Sequence, residues 1–582
     1  MMLRNGSYSA LMMMFLASST SVHSQQVPNI FSPDTPASAA DVNQNFTYVT
    51  DRLGELENLS LGFNLKDGER NLDVDCSNDA AALNQAYNDN WQYSELNFTI
   101  TGDCYGDISA NRNGLDVENN WDESYFQPTG QTLNITAAEG QSAGLIENDL
   151  SGRAAVFGGF SGGLYVSNLT ITLGSNDFTG LFWGRNGHGS VINTSIVGPD
   201  EISGNGLQIQ EGAQVYIIGV TITNTNRGID AINNAVIRFL FEDSTFTNVN
   251  TGIRLISSIA RSQSGLSITA NTNGFEMYAA STWNAFGQDI SIDSGFIRIA
   301  TNSAFQAQNL TASSSTMEVS DSVVEVFGDL NLSSLFTNTS KVLAFGGGIT
   351  GETNIADASS ISFAGSEETP LALQSINIER SSTVTLNHVA VTDFVNAFWG
   401  SSLNAENTSA DVINAESSSV RGFTLEVRET NASNEAFVEI DGLTEAESVN
   451  ANSATVTLRN TNLSGNVVAN SNSNVNLETS EVNGLEIGRK SSANISDSTV
   501  RGVSSVVDFL DASIWATRGA TVGIFGATTV NDGAKPIEVE ALSFLELDFG
   551  TVQTLNGVEI NCNAGSVAYI PETADVTFSG CN

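Results

Sequence analysis

The chain has 582 residues, 65 acidic and 22 basic, for a net charge of −43. Such a field works against nucleic acid and anionic membrane surfaces as partners, and the length exceeds one compact core, which stops growing near about 250–300 residues. With 52 glycines, 8 prolines and 40% hydrophobic residues, the composition suits many tight turns between hydrogen-bonded strands and excludes a disordered acidic tail.

Residues 1–24 read as a secretory signal peptide. Arg4 supplies the positive start, Ala10 to Ala17 form a short apolar run, and Val22 and Ser24 suit the −3 and −1 positions before Gln25. The run is too short for a membrane span, and no later stretch approaches one. The expected location is therefore outside the cell or on its surface. Residues 25–61 form a stem. Ser38 and Asp41 make a variant capping box, and Val42, Phe46, Val49, Leu53 and Leu56 follow at a/d spacing. Two readings stand for this seam: a short helix packed on its own chain, or an oligomerisation device, a homotrimer, through residues 38–57. The segment "VPNIFSPDTPASAADVNQNF" resembles an N-terminal segment found on many exported bacterial proteins.

Residues 62–108 read as a cap. Ser77 or Asn78 is placed to start a helix over Ala80 to Tyr87, with Leu83 and Tyr87 on one face, before the alternating strand "LNFTITGDC". The four cysteines fall into two close pairs, and in an exported chain Cys76–Cys104 and Cys562–Cys581 are the natural disulfides. Neither pair has the short spacing of zinc ligands.

From residue 109 to 554 short alternating strands are broken by Gly, Asn, Asp and Ser. A Gly-apolar pair recurs at Gly180, Gly206, Gly228, Gly252, Gly274 and Gly295, at spacings of 26, 22, 24, 22 and 21 residues. Around it Thr221, Thr223, Asn224, Asn226 and Gly228 return as Thr245, Thr247, Asn248, Asn250 and Gly252. A second series runs Gly422-Phe423, Gly442-Leu443, Gly484-Leu485 and Gly502-Val503, three of them in the tighter form Ser-x-Val-x-Gly-apolar that begins at Ser418, Ser480 and Ser498, and Ala397-Phe398 fits the first series with Ala for Gly. Such periods mark stacked repeats in which no repeat buries its apolar face alone. Leu181, Leu207, Ile229, Ile253, Phe275 and Phe296 are the expected inward ladder, with Gly and Asn supplying positive φ at the bends. Residues 555–582 close the far end.

The cap helix, the repeat length and the Thr-x-Thr-Asn…Gly-apolar punctuation resemble the right-handed parallel β-helices of the pectin-lyase-like superfamily over residues 109–554. The resemblance implies an all-β, right-handed parallel β-helix of roughly twenty turns, with an N-terminal capping helix and a short helical stem. It implies no single chemistry, because this scaffold carries enzymes and binding proteins alike. The basic segment of the pectate lyases is missing, and Lys66, Lys341, Lys490 and Lys535 are the only lysines. Gly187-His188-Gly189 is similar to the Gly-His-Gly motif of polygalacturonases, but the accompanying Asn-Thr-Asp, Asp-Asp and Arg-Ile-Lys motifs are missing. Upstream, only Asn148-Asp149 and Asn176-Asp177 echo them.

Repeat register gives the candidate site. If Ile229 and Ile253 point inward, then Gln208, Asp230, Arg254 and Glu276 stack outward on successive turns. Asp230 and Glu276 are the candidate catalytic carboxylates with Arg254 between them, about 9.6 Å apart by strand spacing, near the upper limit for an inverting glycosidase pair. The bland alternative is a surface charge ladder. Phe182, His188 and Gln208 are candidate ligand contacts, while Trp183 and Phe398 are expected inside by parity. No calcium loop or repeat motif occurs, so no metal and no cofactor is expected. The functional expectation is an exported glycan-binding or adhesin-like protein whose partner is a polysaccharide or cell-surface glycan; the alternative is a polysaccharide hydrolase or lyase. Carboxylates converging in a groove away from Arg254 would favour the enzyme, and a flat flank of Asn, Ser and Thr ladders would favour binding.

Overall fold

The computed structural model describes Asn43 and residues 66–106, 130–146, 156–158, 162–174, 179–184, 186–444, 446–501, 512–530, 535–548, 555, 558–563, 565–570 and 576–581. The chain divides into two units, Met1–Lys66 and Asp67–Asn582, and the repeats belong to the second. The expected signal peptide and heptad stem lie outside the described residues.

One turn shows how the repeat is made. Strand Thr225–Ile232 forms a first face, Val236–Phe239 a second, and strand Ser244–Ile256 begins on the third face and bends onto the first of the next turn. Thr245 and Phe246 pair in parallel with Thr221 and Ile222, while Ile253 and Arg254 pair with Ile229 and Asp230. Repeating this gives an all-β parallel solenoid of about 20 turns. Inward residues form ladders. On the second face one ladder runs from Val215 through Ile237, Ala260, Trp283, Phe305 and Val324, all buried.

The expected first-face ladder is present from Leu181 to Phe275. Its sixth member is Ile297, not Phe296; the register shifts after Asn273, so Phe296 meets Asn273 instead. The asparagines bend as expected: Asn224 and Asn248 have φ of 58° and 51°, and the Asn248 side-chain amide donates to Asn224 Oδ1 at 2.6 Å. The recurring glycine has a different cause from the expected one. A Cβ on Gly206, Gly228 or Gly252 would stand 2.6–2.7 Å from the carbonyl oxygen of the glycine in the next turn. Close approach between turns, not positive φ, requires Gly there. The other corner is sealed by serines: the amides of Ser303, Ser322, Ser340 and Ser359 donate to the hydroxyls of Ser322, Ser340, Ser359 and Ser382.

A helix spans Ala82–Asn90, two residues later than its expected start, with Leu83 and Tyr87 buried. Neither Ser77 nor Asn78 caps it. Asp79 Oδ1 accepts from the Ala81 amide at 3.0 Å, a turn that delays the first helical residue. Tyr87 donates to Gln131 Oε1. Both expected disulfides are formed, Cys76–Cys104 and Cys562–Cys581. Strand Tyr93–Tyr105, expected in the cap, already pairs in register with Thr132–Ala137 and Ala143–Ile146. Strands Glu559–Cys562 and Thr577–Ser579 likewise continue the first face beyond residue 554. Among the described residues no helix is long and apolar enough to cross a membrane.

Candidate functional site

The outward column next to the Ile229 ladder carries the residues singled out from sequence. Phe182, Gln208, Asp230, Arg254 and Glu276 occupy adjacent rungs. The column continues through Arg298 and Glu318, so acid and base alternate over five turns. Placing Phe296 in the ladder hides those last two; with Ile297 inside, Arg298 swings into line.

Asp230 is not a surface charge. It is 2% exposed, with Arg254 gripping both carboxylate oxygens at 2.8 Å and Arg227 Nη1 at 3.4 Å from Oδ2. Arg227 precedes Asp230 by three residues on the same strand. Glu276 Oε1 accepts from Asn273 Nδ2 at 2.6 Å. Arg298 is bound to Glu318 at 2.9 Å and lies over the Phe296 ring at 4.7 Å. Burial first, and the Glu276 carboxylate second, hold the Tyr278 phenol above its ordinary value. Gln208 is buried, and its Oε1 has no hydrogen-bond partner.

His188 belongs to another face. It begins strand His188–Ile192, exposed between Gly163 and Gln214, with its ring edge-on to Tyr165 at 6.2 Å. The second glycine of its Gly-His-Gly motif has a packing cause: Gly189 occupies an inward rung between Leu164 and Val215, where a Cβ would be 1.6 Å from the Leu164 carbonyl oxygen. Trp183 is buried, as parity predicts, but Phe398 is not an inward residue. The Trp183 column continues through Ile209 and Ala231 and reaches Ala397, so Phe398 falls on the outside opposite Glu416.

Further along the same first-face column lies an amide ladder. Asn354, Asn377, Asn396, Asn414, Asn431 and Asn450 occupy successive rungs, each side-chain amide donating to the carbonyl oxygen of the Asn before it at 2.8–2.9 Å. Every amide in the middle both gives and accepts, so the row is held flat. Beyond it, Glu486 and Glu538 sit on either side of Trp515. Burial pushes the Glu486 carboxyl up, and its Oε2 has no hydrogen bond.

The second face carries an open depression of about 420 Å³. Its floor is Leu386, Ala405 and Gly422, three inward rungs that shrink in size along the axis. A Cβ on Gly422 would lie 2.3 Å from Leu425 Cδ1, which fills the core beneath it. Phe423, 54% exposed, forms one wall, with Glu406 and Asp441 directly before and after it in the column. Asn404, Arg421 and Glu439 line the opposite wall. The carboxylates here are partly taken. Arg459 binds Glu439 and Glu478, Arg421 reaches Glu439 at 3.7 Å, and Asn460 donates to Asp441 at 2.8 Å. Glu406 is exposed.

Sequence reading misses this place because Gly422-Phe423 shares its letters with Gly484-Leu485. Val420 belongs to the second face, so its glycine takes an inward rung and its phenylalanine an outward one. Val482 belongs to a separate three-stranded third face, and Leu485 pairs inward with Val467. A Phe where all series-mates carry aliphatics is the signal available.

No family model, no curated protein and no solved structure matches this chain.

Proposed function

We propose that this is an exported, right-handed parallel β-helix of the pectin-lyase-like kind, acting in the secreted state or at the cell surface as a glycan-binding, adhesin-like protein. The observation that carries this reading is the long polar column of the first face: six asparagines in one amide ladder, separated by the single rung Phe336 from a charge ladder whose acids and bases neutralise each other. Fixed rows of donors and acceptors at strand spacing suit repeated hydroxyl groups, and each amide offers both roles. Two disulfides agree with an oxidising location. The helix Ala82–Asn90 and the segment around Cys562–Cys581 act as end plugs, hiding the open edges that would otherwise recruit other strands. Residues 38–57 act as the stem of a homotrimer.

The competing reading is a polysaccharide-degrading enzyme using Asp230 and Glu276, and the carboxylates Glu406, Glu439 and Asp441 that line the depression away from Arg254 are the observation on its side. Arg254 occupies both oxygens of the buried Asp230 carboxylate, leaving it no open edge toward a substrate, which favours recognition over turnover.

The test is a panel of acidic and neutral polysaccharides offered to the folded protein. Retention without new reducing ends or unsaturated products is the expected result; turnover of any of them overturns the binding reading. Light scattering with and without residues 25–61 tests the stem, and a monomer in both ends the trimer proposal.

A further inference from the structure

Three features act together in the depression around Phe423. The sheet surface sinks where the inward rungs fall to Ala405 and Gly422, because Leu425 fills the core from below. An aromatic ring stands 54% exposed at its edge, where a core-type residue would bury itself. Along its column the rungs Asn387, Glu406, Phe423, Asp441 and Arg459 cover five turns, about 19 Å at strand spacing. The volume of about 420 Å³ lies within the range of ligand sites, about 300–1,000 Å³.

The lining selects a ligand class. Phe423 offers a flat apolar face, and the flanking carboxylates offer acceptors on both sides of it. The facing wall offers the Asn404 amide, which gives and accepts, and the Arg421 guanidinium, whose side chain is 66% exposed. A sugar ring has that pattern: an apolar C–H face and an equatorial belt of hydroxyls, each a donor and an acceptor. Charge decides the rest. Glu406, Glu439 and Asp441 outnumber Arg421 and Arg459 in the lining, inside a molecule of net charge −43. An anionic chain would place its carboxylates beside Glu406 and Asp441, while the two guanidinium groups of the lining, Arg421 and Arg459, already face Glu439.

We infer that the depression at Phe423 is a binding site for an uncharged glycan chain, running along the solenoid axis with one sugar ring against the Phe423 face. The inference rests on the glycan-binding reading and names its ligand class and place.

The experiment is calorimetric titration of the whole folded protein with neutral, uronic-acid and amino-sugar oligosaccharides at low and high salt. Phe423→Ala, Phe423→Trp and, as a control, Phe345→Ala are compared; Phe345 is also exposed, at 47%, but lies outside the depression. The expected result is neutral-chain binding that survives salt, falls at least tenfold in Phe423→Ala, and is kept in Phe423→Trp and Phe345→Ala. Circular dichroism of each variant checks that the fold is intact. Glycan binding that Phe423→Ala leaves unchanged, or a preference for uronic-acid chains, overturns this site while leaving the broader reading standing. Binding only of amino-sugar chains, lost in salt, overturns it as well. A folded wild type that holds no sugar overturns both.

Discussion

Two outward columns of this solenoid bear clusters of charge and end in opposite states. Around Asp230 the signs alternate along a single column, so each acid meets a base one strand spacing away and the cluster closes on itself. Around Phe423 the column neighbours are both acids, Glu406 and Asp441, and the guanidinium of Arg421 stands in the adjacent column. No base lies on a rung next to Glu406, Arg459 beside Asp441 is turned to Glu439 and Glu478, and beneath them the core recedes to Ala405 and Gly422. The order of signs along a column, together with the size of the inward rung beside it, decides whether a charged patch seals or stays open.

The largest expected effect lies at the closed end of that comparison. Asp230→Ala leaves Arg254 and Arg227 without their carboxylate, at a cost of about 3 kcal/mol. Amide exchange should accelerate over the turns from Gln208 to Met277 and little beyond them, because a solenoid answers turn by turn. Unchanged protection there would reduce Asp230 to an ordinary surface pair. At the open end Glu439→Gln removes the same kind of partner from Arg421 and Arg459, but in water, for about 1 kcal/mol or less. A loss as large as that of Asp230→Ala would erase the contrast between the columns.

Glu486 supplies a third condition, an acid whose burial outweighs the opposing charge of Arg518 and which forms no salt bridge among the described residues. Its folded-state value is raised, so the folded protein holds the proton more tightly than the unfolded chain. The protonated form therefore favours folding, and stability contributed by Glu486 falls as pH rises from the ordinary carboxyl value through the raised one. Glu486→Gln is expected to raise the urea midpoint at pH 7 and to change nothing at pH 3, where the carboxyl is protonated in both states. A variant less stable at pH 7 would contradict this. Smallest is Phe423→Ala, within about 0.5 kcal/mol of wild type, because an exposed ring contributes little to the core. A marked loss of thermal stability would show Phe423 to be a packing residue.

Much of the fold is legible because periodicity reports which side of a strand is covered. Spacing alone places Leu207, Ile229, Ile253 and Phe275, and register confirms them. The column Gln208, Asp230, Arg254, Glu276 follows from the same alternation. The errors have separate causes. Where the chain slips by one residue, as between Asn273 and Phe275, every later side chain changes face. Phe296 is lost in this way, and Arg298 and Glu318 with it. Analogy with Trp183 puts Phe398 inward, although the Trp183 column reaches Ala397. His188 looks like part of a motif because its neighbour must be glycine, and the reason is the Leu164 carbonyl above it.

The sequence by itself determined the parallel solenoid, the two disulfides and the inward ladders of its early turns, because burial, turn chemistry and cysteine proximity are local or periodic properties. Only the tertiary structure decided that Asp230 is sealed under two guanidinium groups and that Phe423 stands open beside Glu406 and Asp441. Those outcomes depend on which residues share a rung across turns of unequal length, and turn length varies from one repeat to the next in a way that composition and motif do not encode.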